Sequence, residues 1–285
     1  LAWEPGVGWA TDPPTSGFAE ASLSVPSDFD VTFTVPEGRG LRVLATGVAD
    51  SPTHWRAVAA GDWAVSVGRF TTASATAVGG QVQVTVGVDA QVAESPDGYL
   101  AKIVAALDRY SALYGAYPWP AFTMAVEPGL RGGIEYPMHV MQGPGTGGRT
   151  TAHEVGHMWF FGLVPNDQGR DPWLDEGLAT WLEGRFEGTT AALLAEAIPP
   201  DGAGRAGLPM TYWEPRQSIY YRSVYVQGAQ AVGALGPPAV VDCALRHLVA
   251  RQAFSVTTDA AAIAALSEVV PDAGAILARY GIPPR

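Results

Sequence analysis

The sequence contains one cysteine, Cys243, among 285 residues, so no disulfide can form within the chain. Basic residues are also scarce, since 17 lysines and arginines stand against 28 acidic residues, which gives a formal net charge of −11. Lysine and arginine form no cluster, and a nucleic acid is therefore a poor candidate partner. No run of about 18 apolar residues is present, so the sequence predicts no transmembrane segment.

The start of the sequence lacks a methionine and a visible signal peptide, because the chain begins at Leu1. A mature or trimmed chain that has lost a targeting segment begins in this way. Together with the β-rich first part described next, this start favours an exported or cell-surface protein over a cytoplasmic one. The sequence does not indicate an oligomeric state. With 47% apolar and 16% charged residues, the chain has the composition of a folded globular protein.

Two parts of the chain differ in their patterns, with a boundary near residue 95. Residues 1–95 alternate apolar and polar residues in short segments separated by Gly, Pro, Asp and Ser, which is typical of an antiparallel sheet or sandwich. Residues 96–285 are mainly helical by their apolar spacing. The sequence therefore predicts an α+β fold with an N-terminal antiparallel β-domain and a mainly helical second domain. Strands are predicted at 21–26, 30–36, 41–49, 63–78, 81–90, 121–127 and 134–142, and a long loop at 198–217. Helices are predicted within 96–117, with stop signals at Gly115 and Pro118, and at 151–162, 173–186, 189–197, 222–235, 238–252, 258–269 and 272–280.

The stretch "TAHEVGHMWFF", residues 151–161, carries two histidines four residues apart. On a helix, His153 and His157 lie on one face and can present both imidazoles to one ion. Glu154 lies about 100° around the helix, close enough to hold a metal-bound water without ligating the metal. Zinc suits this set because it accepts imidazole and carboxylate ligands and can keep one position open for water. Thr150 or Thr151 is the expected helix cap.

A third ligand is expected from Glu176, which follows His157 after 18 intervening residues. A helix, a loop and a returning helix can bring this carboxylate beside the two histidines, which gives a catalytic His₂Glu set. Alternatively, Glu176 is an ordinary first-turn carboxylate that stabilises the helix dipole. We predict one Zn²⁺ ion held by His153, His157 and Glu176.

The segments "HEVGHMWFFGLV" and "WLDEGLATWLE", with their 18-residue separation, resemble the zinc gluzincin aminopeptidases, the membrane alanyl aminopeptidase and leukotriene-hydrolase group. The resemblance implies that residues 96–285 form a thermolysin-like catalytic zinc domain. It also implies that residues 1–95 are the later part of the family's N-terminal β-domain, in a shortened form. The expected partner is then a peptide or protein substrate.

The stretch "RGGIEYP", residues 131–137, places Gly132 and Gly133 before a carboxylate, which suits a strand edge approached closely by a substrate backbone. Glu135 is similar to the glutamate of the family's GxMEN motif, which binds the free α-amino group of the peptide. The match is partial, because Ile134 and Tyr136 replace the motif's Met and Asn. The alternative is an exposed strand glutamate without this role.

A phenol that donates a hydrogen bond would help to stabilise the oxyanion of peptide hydrolysis. "VYVQGA" resembles the family's tyrosine-x-lysine-glycine-alanine segment, which makes Tyr225 the matching residue, although Gln227 replaces the lysine. Tyr220 and Tyr221 stay possible, since an aromatic cluster on a helix usually packs the core.

The remaining candidates have weaker signals. Asp171 and Asp175 could orient a ligating histidine, or Asp171 could simply cap the following helix. Cys243 is expected to be an inert, buried thiol. The other histidines have no metal-ligand spacing and are expected to be structural or surface residues: His54, His139 and His247.

The predicted function is a zinc-dependent aminopeptidase, in which Glu154 takes a proton from water and passes it to the leaving amine. An endopeptidase is the first alternative. Compared with longer members of the resembled family, the β-region is short and the chain has no room for their large C-terminal helical domain, so a more open cleft that accepts internal peptide bonds is the expectation. The second alternative is a catalytically idle binding module that keeps zinc for structure. Glu154 argues against it, and so does the three-ligand set, because structural zinc sites usually have four protein ligands.

Overall fold

In the computed structural model, the described residues are 20, 22, 23, 25–36 and 38–283. Contacts divide the chain into two compact units. Of the described residues, those within Pro26–Leu163 form the sheet unit, and those up to Val25 and from Val164 onwards form the helical unit. Across the described ranges, helices are too short or too polar to cross a membrane.

The sheet unit contains three sheets and two helices among its described residues. One sheet has the order β1-β4-β3, a second pairs β2 with β5, and a five-stranded sheet has the order β6-β7-β8-β10-β9. The elements are β1 (Ser27–Thr32), β2 (Arg42–Ala45), β3 (Val48–Ser51), β4 (His54–Ala60), β5 (Val65–Gly68), β6 (Phe70–Ala77), β7 (Val82–Asp89), α1 (Pro96–Tyr114), β8 (Ala121–Val126), β9 (Gly133–Tyr136), β10 (His139–Gln142) and α2 (Arg149–Gly156).

The five-stranded sheet joins strands from both parts of the sequence. β7 and β10 both pair with β8 in parallel, whereas β6 and β9 form antiparallel ends. β6 and β7 therefore belong to a mixed sheet, whereas the sequence assigned them to an antiparallel N-terminal domain. Residue 95 lies inside this unit, and the division into 1–95 and 96–285 stays a prediction.

Helix α1 forms as predicted and covers part of this sheet. Ser95 caps its N-terminus by accepting a hydrogen bond from the Asp97 amide, and Pro96 occupies the first turn. The helix ends at Gly115, whose φ of +117° favours glycine. Its buried face contacts β6 and β7, and every residue of β8 is buried in the same sheet. This packing fixes the frame from which β9, β10 and α2 extend.

The sequence missed strand β4, which lies between β1 and β3. Its buried residues include two alanines, Ala57 and Ala60, beside Trp55. Alanine has little β-propensity, so the apolar alternation was weak. Of the first predicted strand, residues 21 and 24 lie outside the described residues.

Helix α2 begins earlier and ends earlier than predicted. Its N-cap residue is Gly148, so the expected cap at Thr150 or Thr151 is wrong. Thr151 instead accepts a hydrogen bond from the Gln142 side-chain amide at 2.9 Å, which holds the helix against β10. Regular helix stops at Gly156, and the following residues continue as turns.

The helical unit packs short helices around α3. Its elements are a 3₁₀ turn (Pro172–Leu174), α3 (Glu176–Glu187), α4 (Thr190–Leu194), α5 (Met210–Trp213), a 3₁₀ turn (Glu214–Arg216), α6 (Gln217–Tyr221), a π-helical turn (Arg222–Val226), α7 (Gln227–Gly233), α8 (Pro238–Gln252), α9 (Asp259–Ser267) and α10 (Ala273–Ala278). α3 and α7 cross closely at two glycines, because a Cβ added to Gly177 would lie 2.9 Å from the Cα of Gly228.

Two sequence predictions in this unit are wrong. The loop predicted at 198–217 contains α5 and a 3₁₀ turn, because Met210 and Trp213 are fully buried and anchor the segment. Cys243 is exposed, since α8 buries a face formed by Val241, Leu245 and their neighbours.

Candidate metal centre

The two predicted histidine ligands lie together on α2 and at its C-terminus. The ring centroids of His153 and His157 are 4.7 Å apart with the planes inclined at 81°, and both side chains are buried. The His157 amide donates a hydrogen bond to the His153 carbonyl at 3.3 Å, which continues the helical spacing through the second histidine. The two imidazoles can therefore face one ion, as the four-residue spacing predicts.

His157 is oriented by the turn that follows α2. Its Nδ1 lies 3.3 Å from the carbonyl oxygen of Phe160. A proton on Nδ1 donates to that carbonyl and leaves the Nε2 lone pair for a metal, an arrangement common among ligating histidines. The turn is sharp, because Phe161 has a φ of +131° and the Gly162 amide bonds back to the His157 carbonyl.

Glu154 is buried and lies against the start of strand β9. A Cβ added to Gly133 would lie 2.4 Å from the Glu154 Oε1 atom, so the side chain occupies the space that any other residue at 133 would fill. The close approach of a substrate backbone that the sequence predicted at Gly132 and Gly133 stays a prediction; what the structure shows beside Gly133 is the Glu154 side chain. The neighbouring Gly132 has a φ of +85°, and among the described residues no atom lies within 4 Å of the place that a Cβ would take.

Glu135 follows on β9, the end strand of the five-stranded sheet. The residue pairs with Val140 of β10 and is only 2% exposed. The alternative of an exposed strand glutamate is therefore wrong. The amine-binding role of Glu135 stays a prediction.

In the helical unit, the third predicted ligand begins α3. Glu176 is buried, and its Oε1 accepts a hydrogen bond from the Tyr225 hydroxyl. Carboxylate oxygens of Glu20, Asp175 and Glu176 lie within 4.8 Å of one another. Like charges this close repel, so donors, protons or a cation must stabilise the group.

Asp175 has a partner that the sequence did not reveal. The Gln168 side-chain amide donates to its Oδ2 at 2.7 Å, and the Gln168 Oε1 accepts from the amide and hydroxyl of Ser22. This chain of contacts fixes Asp175 beside Glu176. Asp171 occupies the N-cap position of the 3₁₀ turn, but its side chain makes no capping hydrogen bond to the described residues.

Tyr225 lies in the π-helical turn, with the rings of Tyr220 and Tyr221 packed against it at centroid distances of 5.6 and 5.1 Å. Burial, and then the nearby Glu176 carboxylate, raise the pKa of the Tyr225 phenol well above its ordinary value. The phenol therefore stays protonated and acts as a donor. Of the three candidate tyrosines, Tyr225 bonds to the predicted ligand Glu176.

The remaining histidines have structural or surface positions, as predicted. His139 is fully buried, and its ring nitrogens lie 3.1 Å from the Ser66 hydroxyl and 2.7 Å from the Thr123 hydroxyl. Burial lowers the pKa of His139 to about 3, so the ring is neutral. His54 Nε2 and His247 Nε2 each lie 2.8 Å from a carboxylate oxygen, of Asp30 and Glu268 respectively, near the surface.

The residues present fit a zinc ion on chemical grounds. The sheet unit offers two buried imidazoles, one of them oriented through its second nitrogen. The helical unit offers the Glu176 carboxylate, held by a phenol donor inside an acidic group. Two imidazoles and one carboxylate are a ligand set that zinc accepts at catalytic sites.

Comparison with known proteins gives short sequence matches and long structural matches. No family model matches the chain. A segment of 33 residues, 12% of this chain, is 54% identical to "Probable M1 family aminopeptidase 1" and to "Probable M1 family aminopeptidase 2" of Encephalitozoon cuniculi (strain GB-M1). That segment corresponds to 4% of the length of either relative.

The crystal structure of an M1 zinc metallopeptidase from Deinococcus radiodurans matches 92% of this chain at 20% identity, with a TM-score of 0.67. A variant of a two-domain M1 zinc metallopeptidase bound to L-arginine matches the same share at 19% identity, also with a TM-score of 0.67. A Deinococcus radiodurans variant bound to a Tyr-Ser-Ala substrate gives 20% identity and a TM-score of 0.67. In each case the match covers 65% of the solved chain.

At these identities, the likeness shows the fold alone. The chain has the fold of the M1 zinc metallopeptidases and spans about two thirds of the length of the solved structures. The predicted mixture of helices and antiparallel strands is confirmed, while the aminopeptidase subgroup and the shortened form stay predictions.

Proposed function

We propose that this protein is a zinc-dependent aminopeptidase in which His153, His157 and Glu176 hold one zinc ion. The observation that carries the proposal is the buried pair of imidazoles at the end of α2, with Glu154 on the same turn. This arrangement supports metal binding by the two imidazoles and proton transfer by Glu154, the roles expected of two histidines four residues apart on a helix with a glutamate between them. The 18-residue spacing to Glu176 and the fold of M1 zinc metallopeptidases support the third ligand.

When bound, zinc supplies a Lewis acid that polarises the scissile carbonyl and makes water more acidic. Glu154 accepts the proton of the attacking water and delivers it to the leaving amine. Its contact with Gly133 limits the movement of the carboxylate between these two transfers. Tyr225 donates a hydrogen bond to the oxyanion, and it exchanges its bond to Glu176 for this one.

Recognition of a free N-terminus is the finer part of the proposal. Glu135 provides a buried carboxylate at the end strand of the sheet, where it can pair with the α-amino group of a peptide. Gly132 leaves open space beside that strand, which admits the peptide backbone. Two of the similar solved structures bind L-arginine or the peptide Tyr-Ser-Ala, and a preference for free amines here is consistent with them.

The test compares hydrolysis of amino-acid anilides by the parental chain and the Glu154→Gln variant, each with and without a chelator. Chelation should abolish activity, zinc should restore it, and Glu154→Gln should lose it while keeping zinc. Full activity in Glu154→Gln would refute the assigned proton transfer. A zinc-loaded parental chain without activity would favour the idle binding module.

A second measurement separates exopeptidase from endopeptidase. Peptides with a free N-terminus should be cleaved much faster than the same peptides carrying an Nα-acetyl group, and Glu135→Gln should reduce that difference. Equal rates on both substrates would favour an endopeptidase and remove the role of Glu135.

A further inference from the structure

The side chain of Gln227 connects the loop at residues 199–204 to the π-helical turn, Arg222–Val226, which carries Tyr225. Gln227 is the first residue of α7 and is buried. Its Oε1 accepts a hydrogen bond from the Gly204 amide at 2.7 Å, and its Nε2 donates to the carbonyls of Gly202 and Ser223, both at 2.9 Å. The side-chain amide of Gln227 therefore uses its oxygen as an acceptor and both of its N–H groups as donors.

These contacts select glutamine on chemical grounds. A lysine has no acceptor for the Gly204 amide, and a glutamate has no donor for the carbonyls of Gly202 and Ser223. The contacts also fix the orientation of the Gln227 amide, because a flipped amide would face each group with the wrong partner.

The loop lies directly against the π-helical turn. A Cβ added to Gly202 would lie 1.8 Å from the Ser223 hydroxyl oxygen, so the backbone at 202 packs where a side chain would otherwise stand. Gly202 and Ala203 also bond to the Pro199 carbonyl, which makes the loop a closed turn. The loop is thus a rigid support for the turn.

Tyr225 lies between the two residues that this arrangement holds. Two residues before Tyr225, the Ser223 carbonyl accepts a hydrogen bond from Gln227. Two residues after Tyr225, Gln227 itself is bonded to the loop through the Gly204 amide. π-helical turns are uncommon, frequently occur at functional sites and need local support, because the regular helix is the default. The hydroxyl at the end of this turn meets Glu176.

We propose that Gln227 is a positioning residue that fixes the π-helical turn and thereby the hydroxyl of Tyr225. This role rests on the proposed function, in which Tyr225 acts on the oxyanion. Gln227 itself does not touch substrate or metal. Substitution of Gln227 should therefore reduce catalysis only by displacing the Tyr225 hydroxyl.

The experiment is a double-mutant cycle between Gln227→Met and Tyr225→Phe on an amino-acid anilide, with the zinc-loaded protein. Gln227→Met alone should lower kcat about 10- to 100-fold, the usual size for a misplaced catalytic group, with KM changed less than about threefold. In the Tyr225→Phe background, the same substitution should have little further effect. An equal loss of kcat in both backgrounds, or a change confined to KM, would overturn the proposal.

A matched control and a conservative variant address simple loss of stability. Gln230, also on α7, donates through Nε2 to the carbonyls of Leu193 and Glu196, and Gln230→Met should leave kcat within about threefold of the parent. Gln227→Glu keeps the acceptor for Gly204 but sets a carboxylate oxygen against the carbonyls of Gly202 and Ser223, so it should lose activity as Gln227→Met does. Equal losses in the control and in Gln227→Met would contradict a specific role.

A structural measurement separates this proposal from the proposed function. In a crystal structure of Gln227→Met, or of Gln227→Glu if the first variant does not fold, the hydrogen bond between Tyr225 and Glu176 should be lost or lengthened. An unchanged bond refutes the positioning role. If the parental chain is inactive, the proposed function fails, and this structure alone still decides what Gln227 does.

Discussion

The phenol of Tyr225 donates a hydrogen bond to the carboxylate of Glu176, 49 positions earlier in the chain. Tyr225 was predicted from a motif resemblance to be an oxyanion donor, and Glu176 was predicted from its spacing to be a zinc ligand. Their contact places the phenol in the immediate surroundings of the predicted ligand. Substitution of Tyr225 should therefore affect both the reaction and the binding of zinc.

We expect Tyr225→Phe to lower kcat about 100-fold with little change in KM, because an oxyanion donor acts mainly in the transition state. Zinc affinity should fall about 10-fold, since the Glu176 carboxylate loses a donor that orients it. Steady-state kinetics at saturating zinc and competition with a chelator measure the two effects. Tyr221→Phe is the control, because its ring packs on Tyr225 but is 42% exposed. Parental values for both quantities would exclude this role.

Gly133→Ala should impair catalysis without contacting the metal. The added Cβ would lie 2.4 to 2.6 Å from three atoms of the Glu154 side chain, so the carboxylate must move. A displacement of about 1 Å in a catalytic group can cost about 100-fold in rate. We expect kcat to fall by about 10- to 100-fold with zinc stoichiometry unchanged.

The matched control for this substitution is Gly129→Ala, because an added Cβ there meets no atom of the described chain within 4 Å. Both variants are compared by kcat, zinc content and thermal unfolding. Equal activity of Gly133→Ala and the parent would show that Glu154 does not need its present position.

Removal of zinc should destabilise the protein as well as inactivate it. Glu176 shares its surroundings with Glu20 and Asp175, and a cation relieves the repulsion among these carboxylates. A ligand that binds only the folded state adds about 2.7 kcal/mol when present at about 100 times its Kd. We expect the unfolding temperature of the parental chain to rise with zinc.

Glu176→Ala should bind less than about a tenth of the zinc bound by the parent and show little of this thermal shift. Glu187→Ala, at the other end of the same helix, should behave as the parent does. Elemental analysis and thermal unfolding with and without a chelator measure both effects. A full equivalent of zinc in Glu176→Ala would contradict the assignment of the third ligand.

The features that the sequence predicted well depend on residues that are close to one another in the sequence. The two histidines and Glu154 lie within five residues, where helix geometry alone determines which side chains share a face. α1 was also predictable, because Ser95, Pro96 and Gly115 provide its terminal signals. Local patterns of this kind need no knowledge of the rest of the chain.

The features that the sequence missed depend on distant partners. Gln168 and Ser22 are 146 positions apart, and no motif marks either residue as a partner of Asp175. Likewise, alternation identified β7 as a strand but could not reveal its parallel pairing with β8, since that pairing is made across the whole of α1. The π-helical turn around Tyr225 had no signal, because its sequence is compatible with a regular helix.

His139 should make the stability of the fold depend on pH. In the folded chain the ring is neutral, with a pKa of about 3, whereas an exposed histidine has a pKa of about 6.5. As the pH falls below the unfolded value, the unfolded chain binds a proton that the folded chain does not bind. The contribution of His139 is therefore fully present above about pH 6.5 and is lost as the pH falls towards about 3.

The largest slope expected from this one group is about 1.4 kcal/mol of unfolding free energy per pH unit, which corresponds to one proton. Urea unfolding of metal-free parent and His139→Gln at pH 7, 6 and 5 measures it, because the other titrating groups are common to both chains. The variant should be less stable at pH 7, where it lacks the imidazole contacts with Ser66 and Thr123, but it should lose less stability on acidification. If the unfolding free energies of the two chains fell in parallel with pH, His139 would take up its proton without unfolding. Its contacts with both hydroxyls would then not require a neutral ring.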